Sequence, residues 1–288
     1  MLNKPANIFG DFESEFYNPD TAAISILPVP YDGSSTWIKG ADKGPQAVLG
    51  ASYNLEFYDI ETDSEVFRNG IFTEPSVDGV DAPEEIAAVV RQRMTALLDK
   101  DKFPVVLGGE HSISIGAFEA MANRYDNLTI LQLDAHADLR DQYNGSRYNH
   151  ACVMARAKEH APIVQVGVRS MDISEKANMD ADRVFFATDI CCHKSAEWIG
   201  RVVSLLTENV YLTIDLDVFD PSVMPATGTP EPGGMGWYDV IALIRAVCEN
   251  ANLVGFDVME LCPRENLWSC DFLAAKLLYK ALGYKFCL

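Results

Sequence analysis

The chain predicts an α/β fold, a three-layer αβα sandwich around a mostly parallel central β-sheet, and two observations carry that expectation. Short apolar runs rich in Val, Ile and Leu alternate with longer stretches of helical periodicity. The runs are predominantly apolar rather than apolar only at every second residue, as strands buried on both faces require. With 48% hydrophobic residues in 288, the chain can cover both sides of such a sheet.

Strands are expected near residues 22–27, 103–107, 128–133, 162–168, 183–186, 209–214 and 252–258. A helix opens at Ala82-Pro83-Glu84-Glu85-Ile86, where proline suits the first turn and the acids complement the positive helix start. It continues through Met94, Leu97 and Leu98. Further helices are expected from Ser112 to Arg124, Ala151 to Glu159, Ala196 to Thr207, Trp237 to Glu249 and Leu267 to Leu282. Turn-rich segments at 28–45 and 219–236 lie between regular elements. No repeat, low-complexity tract or linker divides the chain, so residues 1–288 read as a single domain.

Met1-Leu2-Asn3-Lys4-Pro5 opens no long apolar segment, and no run approaches the roughly 18 apolar residues of a membrane span. A soluble, cytoplasmic protein with no membrane partner is the expectation. The seven cysteines form neither a CxxC pair nor a disulfide spacing, which fits reduced thiols. A net charge of −19 argues against nucleic acid, whose phosphates need clustered Lys and Arg, and suits a cationic ligand.

Chemistry concentrates at the strand ends, where ligands bind in parallel α/β sheets. Gly108-Gly109-Glu110-His111 follows the strand at 103–107. Asp134-Ala135-His136-Ala137-Asp138 closes the next, and alternation along an extended strand would put 134, 136 and 138 on one face. Asp215-Leu216-Asp217 closes a later strand by the same rule. Carboxylates this close repel unless a positive charge lies between them, and a metal supplies it.

Imidazole with excess carboxylate leans towards Mn²⁺ among the divalent ions, and carboxylates able to bridge suggest two ions sharing a water. Two divalent ions set against four aspartates and a shared hydroxide leave a slightly anionic cluster. A guanidinium would be attracted there and a phosphate ester would not.

These residues resemble the ureohydrolase family of arginases and agmatinases. The resemblance rests on Gly108-Gly109-Glu110-His111-Ser112, Asp134-Ala135-His136-Ala137-Asp138 and Thr213-Ile214-Asp215-Leu216-Asp217-Val218-Phe219-Asp220-Pro221. Gly228-Thr229-Pro230-Glu231-Pro232-Gly233-Gly234, Val29-Pro30-Tyr31-Asp32-Gly33 and Gly40-Ala41-Asp42-Lys43-Gly44-Pro45 extend it in family order.

It implies an arginase-like fold and two Mn²⁺ per subunit. One ion would be held by His111, Asp134, Asp138 and Asp215. The other would be held by His136, Asp134, Asp215 and Asp217, with Asp134 and Asp215 bridging. His150 matches the histidine that shuttles protons to the leaving amine, and Glu260 the glutamate that orients the guanidinium through paired hydrogen bonds. Glu231 matches a loop position near the metals. The resemblance also implies a homotrimer or homohexamer.

The segment from Leu139 to Asn149 lacks the arginase pattern and looks like the agmatinase branch, so conversion of agmatine and water to putrescine and urea is the expected reaction. Agmatine is a dication, and Asp141 and Glu231 could line an acidic rim, although Arg140 and Arg147 lie in the same loop. Ala151-Cys152 replaces the Gly-Thr that many agmatinases carry after the histidine, which leaves room for aminopropylagmatine. Guanidinobutyrate, arginine and formiminoglutamate are further alternatives of the same class. A non-catalytic metal- and polyamine-binding oligomer is the alternative of another class.

Overall fold

A computed structural model describes residues 7–288; the start read for an export signal, Met1-Leu2-Asn3-Lys4-Pro5, lies outside the described residues. Among these residues, eight strands form one sheet: β1 (Ile24–Val29), β2 (Ile71–Thr73), β3 (Phe103–Gly108), β4 (Leu128–Leu133), β5 (Ile163–Val168), β6 (Val184–Phe186), β7 (Asn209–Asp215) and β8 (Asn252–Met259). Their order is β2-β1-β3-β8-β7-β4-β5-β6, and every pairing is parallel. Seven of the eight follow the apolar runs of the sequence. The unexpected one, β2, is a three-residue edge strand, too short to carry a periodic signal.

Among the described residues, eight α-helices accompany them: α1 (Gly44–Ser52), α2 (Pro83–Leu98), α3 (Ser114–Arg124), α4 (Val153–Ala157), α5 (Ala187–Cys192), α6 (Ser195–Ser204), α7 (Trp237–Asn250) and α8 (Trp268–Cys287). In α2, Pro83 sits at the start, where a missing N–H costs nothing, and Ile86, Val90, Met94 and Leu97 recur at helical spacing and are buried. Gly44-Pro45 reads as a turn in sequence yet opens α1 for the same reason. The helix expected from Ala151 to Glu159 is shorter, a 3-10 turn at His150–Cys152 followed by α4. Among the described residues, no helix is long and apolar enough to cross a membrane.

Strand side chains alternate between two cores. Val105 and Leu107 of β3, Leu131 and Leu133 of β4 and Leu212 and Ile214 of β7 pack with α1, α6, α7 and α8. Val106, Ile130 and Tyr211 point the other way, against α2, α3 and α4. Each buried aliphatic side chain contributes roughly 1.5–3 kcal/mol, so both helical layers are anchored along the whole sheet. Chain order breaks at its centre: β3 and β4 are consecutive in sequence but lie on either side of β8 and β7. This is the switch point at which open α/β sheets leave a crevice beyond the strand ends.

Candidate metal centre and active site

Four adjacent strands deliver the polar residues to that crevice. His111 follows β3, Glu260 follows β8, Asp215 ends β7 and Asp134 follows β4. His111, Asp134, Asp138, Asp215 and Asp217 are buried, and His136 is partly exposed.

The ligand-type residues converge, but not by strand alternation. β4 stops at Leu133, and Asp138 has φ of 51°, a left-handed conformation that a non-glycine residue adopts at a cost. Asp217 lies in a 3-10 turn, Leu216–Val218, which the Asp215 carboxylate caps by accepting the Asp217 N–H at 2.9 Å. The peptide groups freed from the sheet bond to these side chains instead. Asp134 Oδ1 accepts the His136 N–H at 2.6 Å, and Asp217 Oδ1 accepts the Ala135 N–H at 3.0 Å. Gly167, with φ of 98°, lets β5 pass close by: a Cβ there would lie 3.0 Å from the Asp134 carbonyl oxygen and 2.8 Å from Val218 Cγ2.

Two groups of donors result, His111 with Asp134 and Asp215, and Asp134 with His136 and Asp217. His111 Nδ1 lies 3.2 Å from Asp134, 3.4 Å from Asp138 and 3.4 Å from Asp215. His136 Nδ1 lies 2.9 Å from Asp217 and 3.6 Å from Asp134. His111 Nε2 is 2.8 Å from Thr213 Oγ1, whose hydroxyl donates to Asp257 at 2.7 Å. Thr213 therefore takes the Nε2 proton, and Nδ1 presents a lone pair to three carboxylates without any hydrogen bond of its own.

Such an arrangement fits a cation. Burial alone would lower the His111 pKa, but the carboxylates of Asp134, Asp138 and Asp215 beside it override burial and raise it well above the usual value. Burial and the negative charge of Asp134 raise Asp138, and burial with the charges of Asp217 and Asp134 raises Asp215. The carboxylates thus compete for positive charge. The His/Asp donors fit a binuclear metal site.

Glu260 and His150 line the same cleft, which has a volume of about 310 Å³. Glu260 also has a left-handed backbone, φ 67°. Its Oε1 accepts the His111 N–H at 2.8 Å, so Oε2 is the oxygen less committed to the protein. His150 is tied to Ser34: the Ser34 Oγ accepts the His150 backbone N–H at 2.9 Å and lies 3.2 Å from Nδ1. Burial, then the positive charge of His136, pushes the His150 pKa down to about 4.

Asp141 and Glu231 are not brought to this cleft. Asp141 is exposed and binds Arg156 Nη2 of α4 at 2.7 Å and Arg147 Nη2 of its own segment at 3.3 Å, which take up its charge. Glu231 supplies only its carbonyl to Arg169, at 2.8 Å.

Away from the metal-type ligands and Glu260, the cleft wall carries two further acids, Asp172 and Glu175, which sequence reasoning missed. Their signal was legible as an Asp-x-x-Glu capping box. Both Glu175 oxygens accept N–H groups, from Leu139 at 2.8 Å and Asp172 at 2.6 Å. Asp172 Oδ1 serves Ser174, while Oδ2 has Arg140 at 3.6 Å. Arg140 in turn stacks on Tyr143, 4.5 Å from the ring centre.

A profile of the Arginase family matches residues 22–283. The chain is 37% identical over 275 residues to an N(1)-aminopropylagmatine ureohydrolase of Synechocystis, covering 91% of this chain and 89% of that one. It is 34% identical over 289 residues to an agmatinase of Pyrococcus horikoshii, covering 95% of each. The crystal structure of an agmatine ureohydrolase of Thermoplasma volcanium superposes with a TM-score of 0.85 at 31% identity, over 94% of this chain and 93% of that one. The chain belongs to the arginase family and is a ureohydrolase of its agmatinase branch, acting on a guanidino compound.

Proposed function

We propose that the chain is a binuclear-manganese hydrolase of guanidinoalkyl amines, with N(1)-aminopropylagmatine as its substrate and urea and a linear triamine as products. The sharing of Asp134 between two His/Asp groups, at the floor of a cleft that also holds Glu260 and His150, is the observation that carries this reading. His111, Asp134, Asp138 and Asp215 would hold one ion, and His136, Asp134, Asp215 and Asp217 the other. Bound there, the pair supplies Lewis acidity and an acidified water.

The remaining work falls to side chains. Glu260 receives the guanidinium, mainly through Oε2, since Oε1 already serves His111. Its charge is opposite to that of the substrate, and that pairing fixes the carbon to be attacked. His150, with Nδ1 facing Ser34, has Nε2 left for the departing amine, whose nitrogen gains a proton as the C–N bond breaks.

Two features support the longer substrate over agmatine. The Synechocystis relative is named for it, and Asp172 places a half-committed carboxylate on the cleft wall, where a further ammonium group would pair. Agmatine, the substrate expected from the sequence, is the second reading, favoured by the likeness to the Pyrococcus agmatinase.

The test is urea release by Mn²⁺-loaded protein from N(1)-aminopropylagmatine, agmatine, arginine and guanidinobutyrate, with formamide release from formiminoglutamate. The highest kcat/KM is expected for the first. A preference for a carboxylate-bearing substrate would reject the amine reading, and no turnover of any of them would reject the hydrolase.

A further inference from the structure

Two glutamines lie side by side on neighbouring buried strands, where an apolar residue would be the ordinary choice. Gln132 of β4 and Gln165 of β5 are register partners and are buried, at 0% and 1% exposure. Gln165 Nε2 donates to Gln132 Oε1 at 2.6 Å and to the Ala137 carbonyl at 2.8 Å. Gln132 Nε2 then donates to Asp134 Oδ2 at 2.6 Å.

We infer that Gln165 and Gln132 form a one-way relay that positions Asp134 as the carboxylate shared by the two ions, an inference that rests on the metal reading above. The direction follows from the ends. The Ala137 carbonyl can only accept, so Gln165 must turn its amide nitrogen towards it. That nitrogen also faces Gln132, which must answer with its oxygen and is left to present its own nitrogen to Asp134. Flipping Gln165 would set its oxygen against the Ala137 oxygen. The unflipped state holds even though Gln165 Oε1 is buried with no partner, a cost that the Ala137 contact outweighs.

The other oxygen of Asp134 is held by the His136 N–H at 2.6 Å. Both oxygens are thus pinned from the protein side, one by backbone and one by the relay. The carboxylate plane is fixed before any ion arrives, and outer partners of this kind commonly set metal affinity.

Calorimetric Mn²⁺ titration, with electron paramagnetic resonance to detect an exchange-coupled ion pair, reads this without reference to turnover. Q132M keeps volume and removes the donor to Asp134. It should weaken Mn²⁺ binding ~10–100-fold and delay the coupled signal to higher Mn²⁺. Q165M, which leaves Gln132 free to flip, should shift binding the same way by less, and the double variant should match Q132M. If Q132M unfolds, Q165M alone carries the test. Variants that melt like the wild type and bind both ions within about twofold of it would overturn the relay, as would a wild type that takes up fewer than two ions. A wild type that binds the pair and releases no urea would reject the hydrolase and leave the relay standing.

Discussion

His111 and Thr213 share one proton at 2.8 Å, and that contact decides which imidazole nitrogen faces the carboxylates. Thr213 can accept from His111 because its own hydrogen goes to Asp257 at 2.7 Å. Tyr211 steadies Asp257 from the far side at 3.0 Å. T213V keeps the shape and loses both bonds, so Nδ1 is no longer the only nitrogen with a lone pair. Mn²⁺ affinity should fall ~10–100-fold with little change in kcat at saturating metal. A calorimetric titration checks the first and urea release at raised Mn²⁺ the second.

Gly228 stands opposite Glu260. A Cβ there would lie 3.8 Å from Glu260 Oε2 and 3.3 Å from the Ile38 carbonyl oxygen, so G228A sets a methyl group over the oxygen proposed to receive the guanidinium. A rise in KM of roughly 10-fold or more, the scale of one methyl group in a tight pocket, is the expected result. E260Q should lower kcat/KM by about 10–200-fold, the worth of a charged hydrogen bond. Its amide oxygen can still accept the His111 N–H, so metal content should hold. Steady-state kinetics alongside metal analysis separates the two effects.

The strands and the polar residues at their ends were legible because each is a local signal: an apolar run, then an acid or histidine at its end. How the ligands meet was not. Reading 134, 136 and 138 as one strand face assumed the wrong geometry, since β4 stops at Leu133 and Asp138 turns left-handed. Long-range pairing is equally invisible. Ser34 meets His150 from 116 residues away, and Asp141 is drawn to Arg156 rather than to the cleft. Gln132 and Gln165 carried a readable signal that went unused, a polar residue inside an apolar strand.

His150 is expected to act on the leaving amine without touching the metals. H150N should cost ~10²–10⁴-fold in kcat, the range for loss of a positioned acid or base. KM and Mn²⁺ stoichiometry should change little. Single-turnover urea release and metal analysis of the same sample would expose the alternative, in which lost turnover follows lost metal.

Lys280 of α8 anchors the loop before β2, away from the cleft. Its Nζ lies 2.8 Å and 2.9 Å from the two oxygens of Asp59 and 2.5 Å from Glu61, and Lys280 and Asp59 are both buried. Burial would raise the pKa of Asp59 and of Glu61, yet hydrogen bonds led by Lys280 lower both. Lowered folded-state values mean that on acidification the unfolded chain takes up protons first. The stabilisation is therefore complete above the ordinary carboxylate range, about pH 4–4.5, and is lost as pH falls through the lowered values. K280M removes the partner and strands the Asp59 charge, which should cost about 3–5 kcal/mol near neutral pH. The deficit should shrink in acid, where the wild type loses the same interaction. Urea unfolding of both proteins from about pH 7 to about pH 3 measures this, and a deficit that stays constant across the range would show that Lys280 stabilises α8 by packing rather than by charge.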